Sequence, residues 1–246
     1  MILKDRVAIV TGGSKGIGRA TALKFGQEGA RVIIWDINEE DGEAVVEEIK
    51  SRGGEASFAR VDTTRSEEVQ SAAAAVRDQY GQIDILINNA GITRDATMKN
   101  ITDEQWDAVI NVNLKGVFNC TRFVAPYMVE KGYGRIITAS SIVGITGNFG
   151  QTNYAATKAG VIGMSKVWAR EFGRKGVTSN VVAPGFIATA MMKTIPEKVL
   201  DGFRAKTPLG RLGTPQEVAA LYAFLASEEA GFINAAVIQI DGGISL

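Results

Sequence analysis

Seven short runs rich in β-branched residues alternate along this chain with longer stretches of helical period. The runs are RVAIV (6–10), ARVIIW (30–35), ASFARV (56–61), IDILIN (83–88), GRIITAS (134–140), VTSNVVA (177–183) and AAVIQID (235–241). Helical periodicity fills 16–28, 39–52, 66–80, 103–131, 152–175 and 215–227. Most runs are close to continuously apolar, so their strands must be covered on both faces. Strand–helix alternation reaches that state as a parallel sheet between two helical layers. No linker, repeat or low-complexity tract interrupts the pattern, which predicts a single domain over 1–246. One stretch breaks the rhythm. Residues 184–215 carry four of the five prolines, and a long insertion of this kind predicts a substrate lid at about 186–212.

Charge and composition narrow the function. Lys plus Arg and Asp plus Glu number 27 each, a balance that argues against a nucleic-acid partner. No apolar stretch approaches the ~20 residues of a membrane span, and the N-terminus lacks the pattern of a signal peptide. The only cysteine is Cys120 and there is no histidine. Intrachain disulfides are therefore excluded, which fits a reducing cytoplasm. The usual zinc sites, Ser-His-Asp triads and Cys-His pairs are excluded as well, so no metal is expected.

The segment VAIVTGGSKGIGRA joins the first strand to the first helix. Gly12, Gly16 and Gly18 allow a tight turn and a close approach of the backbone to an anion. Ser14, Lys15 and Ile17 complete that turn at the helix N-terminus, where free N–H groups favour a pyrophosphate. Asp36 falls 18 residues after Gly18, near the spacing of an acid that grips the adenosine ribose. Its carboxylate would repel a 2′-phosphate, whereas Lys15 would attract one. NAD(H) is favoured on this weighing, and NADP(H) is admitted. Asp62 and Thr63 end the third strand, and Asn89, Ala90 and Gly91 end the fourth, both at the sheet edge where ligands bind. Turn formation explains these short motifs equally well.

Tyr154 and Lys158 stand one helical turn apart, thirteen and seventeen residues after Ser141. Positions i and i+4 share a face, so a phenol and an ammonium can point into one cleft. Lys158 and an oxidised nicotinamide would stabilise the phenolate and bring Tyr154 from a reference pKa near 10 towards the operating pH. The spacing also fits a packing tyrosine beside a solvated lysine.

Taken together, TGGSKGIG, NNAG, VNL with Asn113, Ser141, YAATK and APGFIAT resemble the short-chain dehydrogenase/reductase family over essentially the whole chain. Within it, GITRDATMKNITDEQWDAVINVNLKGVF and PLGRLGTPQEVA are similar to reductases of 3-oxoacyl thioesters carried on acyl carrier protein. GITRDAT and FGQTNY are also similar to acetoacetyl-CoA reductases. The resemblance implies a Rossmann-type, doubly wound α/β fold with seven parallel strands and helices on both faces. It implies an NAD(P)H-dependent reduction of a ketone to a secondary alcohol, with a 3-oxoacyl thioester as substrate. Tyr154 would give the proton and Ser141 would bind the substrate oxygen. Lys158 would hold the nicotinamide ribose and lower the pKa of the tyrosine. Asn113 would anchor a water that links the lysine to solvent. Pro184, Gly185, Ile187 and Thr189 would lie along the nicotinamide.

The same tetrad would serve a dehydrogenase of free secondary alcohols or aryl ketones. A catalytically silent NAD-binding sensor could share the fold. The resemblance further implies a cytoplasmic homotetramer built through the long fourth and fifth helices and the C-terminal strand region. Ala155, Ala156, Ala159, Gly160 and Gly163 suit close helix approach, between subunits or within one. Phe186, Met191, Met192, Ile195 and Leu200 suit an apolar acyl chain, or packing of the lid on the body. Lys131, Arg174 and Lys175 stand where an acidic carrier protein would dock. Gly132, however, replaces a basic residue common in such reductases and weighs against docking. Ala188 and Ala190 replace acids. Ser179 occupies a strand position where relatives have valine, and INAA (233–236) replaces a common ITG.

Overall fold

The computed structural model describes residues 1–189 and 197–245. Its elements are β1 (Val7–Thr11), α1 (Gly16–Gln27), β2 (Arg31–Asp36), α2 (Glu39–Ser51), β3 (Glu55–Arg60), α3 (Ser66–Tyr80), β4 (Ile85–Asn88), α4 (Asp103–Ile110), α5 (Gly116–Lys131), β5 (Gly134–Ala139), α6 (Val143–Thr146), α7 (Thr152–Phe172), β6 (Val177–Pro184), α8 (Glu197–Lys206), α9 (Pro215–Ala226) and β7 (Val237–Ile240). All seven expected strands form, and every pairing is parallel. The order is β3-β2-β1-β4-β5-β6-β7. The direction of winding reverses between β1 and β4, and a crevice at such a switch point is where ligands bind in open α/β sheets.

The continuous apolar runs have a direct cause. Along β1, Val7 and Ile9 enter one core while Ala8 and Val10 enter the other. Along β2, Val32 and Ile34 face the first helical layer and Ile33 and Trp35 the second. One layer brings α1, α2 and α9 against the sheet, and the other brings α3, α5 and α7. A strand buried on both faces has no polar side to alternate with.

Three features depart from expectation. The helix expected over 103–131 is interrupted by a π turn at Asn111–Lys115. The four-residue helix α6 follows β5. The lid region contains a helix, α8, tied to the body by stacking of Phe203 on Phe186, ring centroids 3.8 Å apart. Leu200 is buried beneath this region, while Ala190, Met191, Met192 and Ile195 lie outside the described residues.

At the opposite end of the sheet, Lys131 donates to Asp84 at 2.5 Å and to Gln82 at 2.7 Å. Asp84 is fully buried, and also accepts from the Val7 N–H. Lys131 and Arg6 together neutralise this buried carboxylate.

Ser179 and INAA gain physical roles. The Ser179 and Ser165 hydroxyls, both buried, lie 2.8 Å apart and join β6 to α7. Asn234 accepts from the Ser179 N–H and donates to the Ala169 carbonyl. Ala235 holds a left-handed φ of 61° as the chain enters β7.

Candidate active site

The site is built at the carboxyl edge of the sheet. Gly12 adopts a φ of +63°, and a side chain there would come 2.8 Å from Ala90 Cα. A Cβ on Gly18 would lie 2.0 Å from the Gly12 carbonyl oxygen. Only glycine fits either place, so the first turn of α1 packs directly on the end of β1. α1 has no side-chain cap and no acid in its first turn. Its free N–H groups and the positive end of its dipole are thus left for an anion, which is the chemistry a coenzyme diphosphate requires. Ile17 packs beneath the turn. Thr189 Cγ2 lies 3.5 Å from where a Gly16 Cβ would stand, so the segment after β6 closes over the Gly16 turn.

Asp36 is fixed beside this turn. Its Oδ2 accepts from the Ser14 N–H at 3.1 Å and the Ser14 hydroxyl at 2.6 Å, and its Oδ1 accepts from the Asn38 N–H at 3.1 Å. A carboxylate offers about four acceptor positions, so capacity remains for a ribose hydroxyl. Lys15 points elsewhere, with its Nζ 2.6 Å from Asp41 Oδ2.

The other strand ends divide between binding and support. Asp62 Oδ1 accepts from the Thr64 N–H and hydroxyl, closing its own turn. Thr63 is buried and its carbonyl accepts from Asn119. Asn89 donates its side-chain amide to the Thr11 and Gly12 carbonyls at 3.1 and 3.2 Å, and so clamps β4 to the glycine turn. Thr11, which carries no motif signal, accepts from the Asn89 and Ala90 N–H groups. Gly91 faces the catalytic corner, since a Cβ there would lie 3.4 Å from Asn113 Oδ1 and 3.7 Å from Lys158 Nζ. Pro184 accepts from the Ile142 N–H, Gly185 donates to Ile240, and Ile187 pairs with Gly213. These bonds fix the floor of the site from β6 to β7.

The four catalytic candidates converge. Tyr154 and Lys158 rise from the start of α7, with Nζ 5.6 Å from the centre of the phenol ring. Lys158 is 4% exposed and donates to the Ala139 carbonyl at 2.7 Å. Burial pulls its ammonium down to about 8. Ser141 follows β5, accepts from the Val143 N–H, and stands near enough to the phenol to pull its pKa down. Ser140, which sequence reasoning passed over, holds the Lys158 carbonyl at 2.6 Å. Asn113 sits in the π turn, fully buried. It accepts from the Ile92 N–H at 2.8 Å and donates to the Ile92 carbonyl at 2.9 Å. The extra residue of a π turn re-aims side chains, here turning Asn113 towards the chain between β4 and Lys158.

In the coenzyme-free chain burial pushes the Tyr154 phenol above its ordinary value, Ser141 pulls it down, and the charge of Asp95 pushes it up again. The expected lowering by Lys158 together with an oxidised nicotinamide concerns the coenzyme-bound site.

The comparisons agree with this geometry. Residues 12–245 match the family model described as Enoyl-(Acyl carrier protein) reductase. The chain is similar to the 3-oxoacyl-[acyl-carrier-protein] reductase FabG of Thermotoga maritima, 49% identical over 244 residues and 99% of each chain. It is 44% identical to the enzyme of the same name from Staphylococcus epidermidis, over 98% of this chain and 99% of the other. The crystal structure of gox2181 superposes with a TM-score of 0.96 at 37% identity, covering 99% of this chain and 96% of that one. Full-length similarity of this degree, on a doubly wound sheet whose carboxyl edge carries Ser141, Tyr154 and Lys158, places the chain in the short-chain dehydrogenase/reductase family, as an oxidoreductase acting on a ketone or its alcohol with a nicotinamide coenzyme.

Proposed function

We propose that this chain reduces a 3-oxoacyl thioester to the 3-hydroxyacyl thioester, with NADH as the favoured coenzyme and Tyr154 as proton donor. The observation that carries the reading is the half-buried Tyr154 phenol beside Ser141, with the Lys158 ammonium 5.6 Å from its ring centre. Two hydroxyls close together can both donate to one substrate oxygen, where negative charge develops as the carbonyl is reduced. The reduced nicotinamide supplies hydride when bound. The α1 N-terminus and the Gly12–Gly18 turn would hold its diphosphate, Asp36 its adenosine ribose, and Lys158 its other ribose.

Tyr154 is protonated at neutral pH and carries its proton to the developing alkoxide. The phenolate left behind faces the Lys158 ammonium, which lowers the cost of the transfer. In the reverse direction the oxidised, cationic ring would add the positive charge needed to ionise the phenol. The names of the relatives support the thioester substrate. Turnover of acetoacetyl-CoA, a 3-oxoacyl carrier thioester, an enoyl thioester and an aryl ketone, each with both coenzymes, tests the reading. Activity confined to the enoyl thioester or to the free ketone would overturn it.

A homotetramer completes the proposal. Trp106, Phe118 and Val167 leave α4, α5 and α7 partly exposed at 38%, 44% and 51%. A Cβ on Gly163 would meet nothing within 4 Å, whereas one on Gly160 would strike Leu114 of the same subunit. Gly163 thus belongs to an open face that suits a second copy, and Gly160 to internal packing. Light scattering at micromolar concentration checks this, and a monomer would contradict it.

A further inference from the structure

We infer that Asp41 sets coenzyme choice by holding Lys15 in an ion pair, so that the one cation of the glycine turn is not offered to a 2′-phosphate. This rests on the reading of the cleft as an NAD(H) site and adds the residue that keeps it one.

Lys15 is the N-cap residue of α1, in the turn that a coenzyme diphosphate would approach. An ammonium at this position would be the natural partner of a phosphate on the adenosine ribose. Its Nζ instead lies 2.6 Å from Asp41 Oδ2. The hydrogen bond it donates to Asp41, then the charge of Asp41, with smaller contributions from Asp36 and Glu40, hold the lysine above its ordinary value. Asp41 is itself well placed. It stands in the first turn of α2, where the helix dipole favours an anion, and its backbone N–H is capped by Asn38 Oδ1 at 3.1 Å. Asn38 also donates its N–H to Asp36. One short turn, 36–41, therefore orients the acid that would take a ribose hydroxyl and the acid that occupies the competing lysine. A 2′-phosphate arriving here would meet Asp36, Glu40 and Asp41, with Lys15 already engaged.

Asp41 acts through Lys15 and is a positioning residue. The test uses Asp41→Asn, which keeps the shape and the backbone cap but releases the lysine. Affinities for NADPH and NADH are read by calorimetric titration of the intact protein, without substrate. Asp41→Asn should tighten NADPH about fivefold relative to NADH, the scale of one exposed charge pair. Asp41→Glu should restore the original ratio. Asp41→Asn combined with Lys15→Met should lose the gain. An unchanged ratio in Asp41→Asn would overturn the inference while leaving the NAD(H) reading intact. A gain that survives in the double variant would also overturn it, because removal of negative charge alone would then be the cause. If the unmodified protein already binds NADPH more tightly, and Lys15→Met removes that preference, both the inference and the NAD(H) reading fall. If neither coenzyme binds, the NAD(H) reading falls first.

Discussion

Lys158 turns the burial of the site into a measurable dependence of stability on pH. In the unfolded chain its ammonium has an ordinary value of 10.5, whereas in the folded, coenzyme-free chain burial brings it to about 8. Between these values the unfolded state binds the extra proton. Stability therefore rises with pH across that window, because raising the pH penalises the state that holds more protons. Below pH 8 the lysine is charged in both states, and folding must strip water from a cation. The difference of about 2.5 pH units corresponds to about 3 kcal/mol, regained between pH 8 and 10.5. Lys158→Met keeps the volume and removes the charge. Urea unfolding of both proteins without coenzyme, at one protein concentration and in half-unit steps from pH 7 to 10, isolates the lysine as the difference between them. That difference should move in favour of the unmodified protein by most of this amount at pH 10. A flat difference would refute the burial argument. One that falls with pH would show instead that the lysine is held charged by an anion.

Two further substitutions test the framework of the site. Gly18→Ala places a methyl 2.0 Å from the Gly12 carbonyl oxygen. It should cost at least about 2 kcal/mol by overpacking and weaken coenzyme binding at least about tenfold; thermal unfolding and titration would check both. Ser179→Ala leaves the Ser165 hydroxyl buried without its partner, at a cost of about 1–3 kcal/mol. Ser165→Ala combined with Ser179→Ala should be less destabilised than the single variant, and strict additivity in denaturant unfolding would contradict the pairing.

Particular residues explain what the sequence disclosed. All seven strands were legible because burial on both faces removes polar positions from the runs, as Val7 to Val10 illustrate by entering two cores in turn. Ser141, Tyr154 and Lys158 were singled out by the resemblance, since their spacing alone also fits a packing tyrosine beside a solvated lysine. The π turn was hidden, since one extra residue between Asn111 and Lys115 barely disturbs a helical pattern already set on both sides. α6 is a single turn and leaves no periodicity to read. Thr11 and Ser140 were missed because their partners are backbone groups far along the chain. Asp41 reads from sequence as one of three acids opening α2, and only the fold brings it to Lys15. Asn113 was found as a residue, but its clasp on the Ile92 backbone is a tertiary fact. The spacing of Tyr154 and Lys158 is legible in a sequence, whereas the loss of water that raises the phenol is set by burial and reads only from the fold.

The proton donor is the centre of the account, and Tyr154→Phe removes its hydroxyl while keeping the ring. Reduction of acetoacetyl-CoA by the variant, measured beside calorimetric titration with NADH, tests it most directly. Turnover should fall by about 10³-fold or more, the scale of lost general-acid catalysis, while NADH affinity stays within about twofold, since the chemistry of the phenol lies with the substrate oxygen. Turnover within tenfold of the unmodified protein, with coenzyme still bound, would contradict the account.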